Sequence, residues 1–325
     1  MEKKLTAVLI IGVVGAAVAI GITAGILLSP VPVLRLSTTT SVNDSGLMDI
    51  LVPDFEARFG CDVRVSSKGT GAAIADGSNG DADLILVHSY ASEMAWIAAG
   101  NGSRRACFMY NDFILVGPST DPAGVSGMAN ITRAFTYMHD NLTSAHPFVS
   151  RNDSSGTHSK EKAIWGKAPP HKSYTGITNP ANGHMWPTGW YLCANGGMGA
   201  TLTIAWENDG YTLSDRGTWY AYESQMTGYS ILSSGDADLI NPYSFLLVNS
   251  TKYPDTNQAL AEKFVAFCLS SYGLNKIATY MKNGHQLFNI CWNNTAPQYA
   301  VCNSTIADLA WWNAKVKELG MFSLV

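Results

Sequence analysis

The stretch from Leu34 to Gly71, LRLSTTTSVNDSGLMDILVPDFEARFGCDVRVSSKGTG, decides the fold. Leu34–Ser37 and Asp62–Ser66 are short runs containing apolar residues, and they predict two strands. Ser45–Phe59, which lies between them, carries apolar side chains at helical spacing and predicts an amphipathic helix. The stretch therefore predicts a strand, a helix and a second strand, with the start of another helix after Gly71.

The same alternation continues along the chain. Leu84–His88 and Phe113–Val116 predict buried strands, and Ala91–Ala99 predicts the helix between them. This rhythm is typical of an α/β lobe with a mainly parallel sheet. Five further helices and one strand are predicted: helices His158–Trp165, Gly199–Asn208, Asn257–Leu269, Tyr272–Lys282 and Ile306–Leu319, and strand Ser244–Val248.

Two extended crossings are expected to link two α/β lobes. They lie near Tyr110–Gly117 and near Asn241–Val248. Lobe one would then be discontinuous, with residues 35–114 plus 243–325, and lobe two would hold residues 115–242. A ligand cleft is expected between the lobes.

The charge and hydropathy of the sequence indicate the binding partners and the cellular location to expect. The 21 Lys and Arg residues against 25 Asp and Glu give a net charge of −4, which argues against general nucleic-acid binding. Residues 5–34 carry no charge and follow Lys3–Lys4. Residues 1–34 therefore predict a signal peptide or a retained N-terminal membrane anchor, and the length of the apolar stretch favours the anchor. Either interpretation places the remainder outside the cytoplasm, at the cell surface.

Cysteines and glycosylation sequons agree with that location. The six cysteines lack any Cys-x-x-Cys spacing, so structural disulfides are expected rather than a metal site. Cys291 and Cys302 form the easiest local pair, although all fifteen connectivities stay open. Eight Asn-x-Ser/Thr sequons predict a glycoprotein. The sequons begin at Asn43, Asn101, Asn130, Asn141, Asn152, Asn249, Asn293 and Asn303.

Three turns rich in Gly, Ser and Thr each precede a predicted helix. They are Thr38–Gly46, Ser66–Gly71 and Ser150–His158. A helix start offers free backbone N–H groups and the positive end of the helix dipole, so it attracts anions. Each turn alone could be a helix cap. Three in one chain, with Arg151 as the single cation, favour a site for a small tetrahedral oxyanion.

Catalytic motifs are missing from the sequence. It contains no Gly-x-Ser-x-Gly, no His-Glu-x-x-His, no phosphate-binding P-loop and no dinucleotide fingerprint. We therefore expect a binding protein that has no enzyme activity, cofactor, metal or catalytic residue. The alternative is an anchored hydrolase of phosphate or sulfate esters, with Ser155 or Thr157 as nucleophile and His158 as base.

Three stretches resemble a known family, the tungstate-binding solute receptors of ABC transporters, which have the two-lobe type II periplasmic binding protein architecture. Weaker agreement surrounds Tyr110, Gly197 and Asn241. The three stretches are Thr38–Leu47, Ser150–Glu161 and Tyr211–Thr218.

The resemblance implies a function, a partner and a set of site residues. The ligand would be tungstate, with molybdate as a second ligand, and the partner a transporter permease. A phosphate-binding receptor is the alternative, because that group shares the Arg-x-Asp-x-Ser-Gly-Thr turn. Asp153 would orient Arg151, and Asp215 would pair with Arg216. The ligand-binding residues implied by the resemblance are Thr39, Thr40, Ser41, Thr70, Arg151, Ser155 and Thr157.

Two features depart from the family pattern. Asn152 stands where the family usually has Gly, and residues 166–190 are longer than expected. Because of the longer stretch, the sequence does not predict the structure of the cleft rim. The three turns are not interrupted by it.

Overall fold

A computed structural model describes residues 30–168, 189–293, 302 and 304–321, and the backbone of 177–178 and 185–186. The predicted N-terminal segment, 1–34, lies outside the described residues except at its end, where Val33 and Leu34 already belong to the first strand. Within the described part, no helix combines the length and the apolar character that crossing a membrane requires. The long stretch 166–190 is also mostly outside the described residues.

The elements alternate as the opening stretch predicts. The first part of the chain contains β1 (Val33–Thr39), α1 (Thr40–Ser45), α2 (Leu47–Phe59), β2 (Asp62–Lys68), α3 (Thr70–Asn79), β3 (Leu84–Val87), α4 (Tyr90–Ala98) and β4 (Gly102–Pro118). The middle contains α5 (Ile131–Asn141), β5 (Phe148–Ser150), α6 (Gly156–Lys167), β6 (Ile177–Thr178), β7 (Met185–Trp186), β8 (Tyr191–Cys193), α7 (Met198–Glu207), β9 (Thr212–Asp215), α8 (Arg216–Tyr222) and β10 (Tyr229–Ser233). The last part contains β11 (Ile240–Val248), α9 (Gln258–Leu269), α10 (Ser271–Ala278), β12 (Met281–Lys282), β13 (His285–Gln286), β14 (Asn289–Ile290) and α11 (Ile306–Glu318).

The first lobe is built on a sheet with the strand order β2–β1–β3–β11–β4. β1 pairs in parallel with β2 and with β3, whereas β11 runs antiparallel to β3 and β4. Four of these five strands therefore point the same way, which confirms the mainly parallel sheet. Aromatic side chains join the helices to the sheet and to each other. The Phe264 ring on α9 contacts Phe245 of β11 edge-on at 5.9 Å and Phe55 of α2 edge-on at 4.9 Å between centroids.

β4 belongs to both lobes. Its first part, up to Asp112, pairs with β11, and its second part, from Phe113, pairs with β9 and β10. The second lobe is packed around this second sheet, with α5 and α6 contributing buried side chains such as Phe135 and Trp165. The predicted crossing near Tyr110–Gly117 is confirmed.

Two local predictions are wrong. The second crossing does not lie at Asn241–Val248, because β11 pairs with the first sheet along its length. The chain changes lobe just before it, in the turn around Ala237–Leu239. The predicted helix Tyr272–Lys282 ends at Ala278. Asn283 and Gly284 then have positive φ angles of 50° and 83°, a turn that favours the short hairpin β12–β13 over a continuing helix.

Candidate functional site

The first lobe presents its polar turns at the ends of β1 and β3. Thr39 ends β1 and caps α1, because its hydroxyl oxygen accepts a hydrogen bond from the backbone N–H of Val42. α1 stops after one turn and a half at Gly46, whose φ of 80° fits glycine. His88 directly follows β3. Parallel strands end at the same edge of a sheet, so His88 and the α1 start become neighbours.

A hydrogen-bond chain connects these residues. The amide nitrogen of Asn241 donates to Asn111 Oδ1 at 2.8 Å, which leaves Asn241 Oδ1 as the acceptor for His88 Nδ1 at 2.9 Å. His88 Nε2 then accepts from the Ser41 hydroxyl at 3.0 Å, and Ser41 Oγ lies 3.1 Å from Thr39 Oγ1. The hydroxyl protons of Thr39 and Ser41 are therefore engaged within the protein.

His88 stays neutral in this chain. Burial lowers the pKa of its imidazole to about 4, against a smaller raising effect from the hydrogen bond to Asn241. The Ser41–His88–Asn241 order resembles a catalytic triad, but a general base works best with a pKa near the working pH. The geometry therefore fits a positioning role for His88, a residue that the sequence analysis did not place at the site.

The second lobe contributes the start of α6. Ser155 caps this helix by accepting from the backbone N–H of His158 at 3.2 Å, so its hydroxyl meets the backbone of His158 and not the ring. The ring nitrogen Nδ1 of His158 accepts from the Ser154 N–H at 3.1 Å. The geometry around Ser155 thus differs from the nucleophile and base pair that the hydrolase alternative needs. Asn152 has a φ of 47°, in the left-handed region that Gly adopts freely and Asn tolerates, which fits the Gly that the family resemblance implies at this position.

Arg151 and Asp153 form a buried pair. The guanidinium Nε and Nη2 both donate to Asp153 Oδ2, at 3.1 and 2.5 Å, and the Arg151 side chain is only 3% exposed. Asp153 Oδ1 accepts from the Ser155 N–H at 3.0 Å. Both carboxylate oxygens are therefore engaged by donors. Burial raises the pKa of Asp44 on α1 and of Asp215 on β9, and the positive charge of Arg151 opposes both shifts.

The predicted ion pair between Asp215 and Arg216 is wrong. Asp215 caps α8, because its two oxygens accept from the backbone N–H and the hydroxyl of Thr218 at 2.9 and 2.7 Å. The Arg216 side chain extends instead to Asp112 on β4, with nitrogen–oxygen distances of 2.5 and 2.6 Å. The cap turns the Asp215 carboxylate toward its own helix, so the adjacent arginine pairs with a strand that both lobes share.

The two lobes touch at the candidate site. A Cβ atom placed on Gly156 would lie 2.6 Å from His88 Cε1, so the start of α6 meets the His88 ring directly. On the rim, the β12–β13 hairpin holds α8: His285 stacks on Tyr220 at 3.9 Å between ring centroids, and Asn283 Nδ2 donates to the Tyr220 carbonyl at 2.6 Å. We call this hairpin, Met281–Gln286, the rim clasp.

Two of the hydroxyl groups that were predicted to bind the ligand differ from the others in their surroundings. Thr70 Oγ1, at the start of α3, and Thr157 Oγ1, at the start of α6, are buried and have no hydrogen-bond partner in the described part of the chain. A buried polar atom without a partner is costly, and a ligand that accepts a hydrogen bond would remove that cost. Thr40 is half-buried on α1.

A cavity of about 240 Å³ also lies between the lobes. It shares His88 and Gly156 with the candidate site, and Lys160 and Phe113 line it. None of the seven predicted ligand residues is part of its lining. The structure thus brings Thr39 and Ser41 together with His88 and Gly156, beneath the contact between the lobes, while the cavity opens beside that contact.

Comparison with known proteins settles the family. The profile of the PBP superfamily domain matches residues 31–271. The chain belongs to this superfamily. The tungstate-binding protein TupA of Peptoclostridium acidaminophilum is 38% identical over 249 residues, 76% of this chain and 81% of that protein. TupA of Campylobacter jejuni is 33% identical over 254 residues, 77% and 88% of the two chains.

A solved structure agrees with both comparisons. The tungstate-binding protein TupA from Desulfovibrio alaskensis G20 matches this PBP superfamily chain with a TM-score of 0.66 and 38% sequence identity, covering 80% of this chain and 98% of that one. The two-lobe α/β fold and the family resemblance stated from the sequence are confirmed.

Proposed function

We propose that the chain is the solute-binding receptor of an ABC transporter for tungstate, with molybdate as its second ligand. The observation that carries the proposal is the pair of buried, unpartnered hydroxyls of Thr70 and Thr157 at two helix starts, one in each lobe. Arg151 adds one buried cation. Relatives whose names state tungstate binding support the choice of ligand.

The proposed site keeps the residues predicted from the sequence. The ligand oxygens would accept from Thr70, Thr157 and Arg151, with Ser155 at the α6 start. Thr39, Thr40 and Ser41 would border the anion at the start of α1, where the hydroxyls of Thr39 and Ser41 also hold His88. Asp153 would fix the Arg151 side chain from behind. In this proposal the metal is held only as an oxyanion, without a cofactor.

The hydrogen-bond acceptors of a binding site decide whether it prefers tungstate or phosphate. Tungstate and molybdate carry no proton near neutral pH, whereas hydrogen phosphate needs an acceptor for its proton. Asp153 and Asp215 each have both oxygens engaged by protein donors. Both carboxylates are thus held in place by groups of the protein, and this supports tungstate as the proposed ligand.

The mechanism would be closure of two lobes on the anion. One lobe binds first, the other adds donors, and the closed form delivers the ligand to a permease. We propose the two lobes predicted from the sequence, 35–114 plus 243–325 and 115–242, with the second boundary moved back to about residue 240, where β11 joins the first sheet. Membership of a solute-receptor family places the chain outside the cytoplasm, and anchoring through residues 1–34 is part of the proposal. Disulfide bonds and glycosylation of the sequons stay predictions, and Asn303 lies outside the described residues.

Calorimetry of the full-length chain tests the ligand. We expect tight binding of tungstate, somewhat weaker binding of molybdate, and much weaker binding of sulfate and phosphate. Preference for phosphate over tungstate would refute the assignment. Turnover of a chromogenic phosphate or sulfate ester by the pure protein would instead support the hydrolase.

The substitution Thr157→Val should lower the affinity for tungstate without lowering the stability of the protein. The hydroxyl has no partner among the described residues, so its loss should leave the free energy of unfolding unchanged or raise it. The loss of a hydrogen bond to a charged ligand should cost about 1.5–3 kcal/mol of tungstate affinity.

Thr201→Val is the matched control for this variant. Thr201 is buried on α7, and its hydroxyl donates to the Gly197 carbonyl at 3.0 Å. The control should lower stability and leave affinity unchanged. Equal tungstate affinity in wild type and Thr157→Val would remove Thr157 from the site.

A further inference from the structure

Three cysteines far apart in the sequence meet inside the first lobe. Cys107 lies on β4, Cys291 follows β14, and Cys302 precedes α11. Their sulfur atoms all lie within 4.8 Å of one another, and each residue is at most 3% exposed. None of these three thiols is joined in a disulfide in the structure. The arrangement is a compact, buried group of three sulfurs.

One sulfur–sulfur distance in the group equals the spacing expected of a zinc site, and the others are within 4.8 Å. Cys107 Sγ lies 3.8 Å from Cys291 Sγ. Zinc–sulfur bonds of about 2.3 Å in tetrahedral geometry put neighbouring sulfurs about 3.8 Å apart. A disulfide joins two sulfurs and would leave the third thiol buried, whereas one metal ion can bind all three. The predicted pairing of Cys291 with Cys302 accounts for only part of the group.

A buried cation lies beside the group. Arg105, on the same strand as Cys107, lies within electrostatic range of Cys107 and Cys302. Its guanidinium is held by Glu93 at 2.9 Å, and the Arg105 side chain is 3% exposed. The Cys107 N–H donates to Ser304 Oγ at 3.0 Å, which ties β4 to the segment before α11. Fixed neighbours of this kind orient the ligands of a metal site.

We propose that Cys107, Cys291 and Cys302 bind a thiophilic metal ion of the zinc(II) class as a structural site. The three thiols release three protons to solvent, and their thiolates supply three of the four positions of a tetrahedral ion. The ion fastens three separate parts of the chain, namely β4, the segment after β14 and the segment before α11. The site is separate from the oxyanion site and does not depend on the proposed function.

Zinc titration of the full-length chain tests the site. The protein is purified reduced and without oxygen, stripped of metal with a chelator, and titrated with zinc(II). We expect one high-affinity ion per chain, release of protons on binding, and a higher melting temperature. Cobalt(II) in place of zinc should give an intense sulfur-to-metal charge-transfer band.

Cysteine variants identify the ligands. Cys107→Ala should weaken zinc binding by more than the ~100-fold that follows loss of an outer-shell partner. Cys61→Ala is the matched control, because Cys61 is also buried but lies in the main core away from the group. Equal zinc affinity in the two variants would overturn the proposal.

Alkylation of the wild type keeps the test decisive if Cys107→Ala fails to fold. Zinc should slow alkylation of Cys107, Cys291 and Cys302, mapped by peptide mass spectrometry, and leave the half-buried Cys193 unchanged. Equal labelling with and without zinc would contradict the site. A disulfide between Cys291 and Cys302 that persists in reductant, with no ion bound, would also contradict it.

Discussion

Arg151→Ala is expected to weaken tungstate binding by about 2–5 kcal/mol, because it removes a charged donor from a buried site. That range is a roughly 30- to 5,000-fold rise in Kd. The side chain is 3% exposed, and among the described residues Asp153 is its only ion-pair partner within 4 Å. Its loss also leaves the Asp153 carboxylate without its cation, which adds repulsion toward an anion. Calorimetry with tungstate measures the change.

Two companion variants sharpen this result. Arg151→Lys keeps the charge and loses the planar donor fork, so its affinity should fall between wild type and Arg151→Ala. Arg133→Ala removes an exposed arginine of α5 and should leave Kd unchanged. Unchanged affinity in Arg151→Ala would show that Arg151 only supports the structure of its turn.

Gly156→Ala is expected to oppose closure of the lobes. The added Cβ would lie 2.6 Å from His88 Cε1 and 2.8 Å from Nδ1. The ring cannot turn away without breaking its hydrogen bonds to Ser41 and Asn241. Overpacking of this kind costs about 1–3 kcal/mol. The cost falls on the closed form, so tungstate affinity should drop roughly 5- to 150-fold.

The control for this variant lies on the same helix. Gly166→Ala adds its Cβ where no other atom lies within 4 Å, and it should leave affinity unchanged. Small-angle scattering should find Gly156→Ala more open than Gly166→Ala at equal tungstate concentration. Combining Gly156→Ala with His88→Ala should cost less than the sum of the two changes, because the clash disappears. Additive costs would show that the two residues act independently.

The sequence predicted those helices and strands whose apolar pattern lies within one short segment of the chain. The strands around Leu36 and Val63 and the helix around Phe55 were predicted because apolar spacing records burial directly. The short helix α1 was predicted as a turn, since six residues are too few for a helical period to appear. The helix predicted over Tyr272–Lys282 ran directly up to the Asn283–Gly284 turn signal, whereas the real helix ends at Ala278.

Long-range contacts were harder to predict. The sequence analysis gave His88 no role at the site, although its place at the carboxyl end of a parallel strand was a usable signal. Its bond to Asn241 spans 153 residues. The Cys107 and Cys291 contact spans 184 residues, so no local spacing could reveal it. For Asp215 the sequence predicted a local ion pair that does not form. Its neighbour Arg216 pairs instead with Asp112, 104 residues away.

The rim clasp has a kinetic consequence. His285 and Asn283 in the first lobe contact Tyr220 in the second, so separation of the lobes would break these contacts, and His285 also reaches Glu223 at 2.9 Å. Contacts that exist only in the closed form slow reopening and lengthen the residence time of a captured anion, with little effect on its rate of arrival. The His285 side chain is 42% exposed, so salt and a docking protein can reach it. A partner that displaces Tyr220 from His285 would therefore start release from the outside, without first contacting the anion.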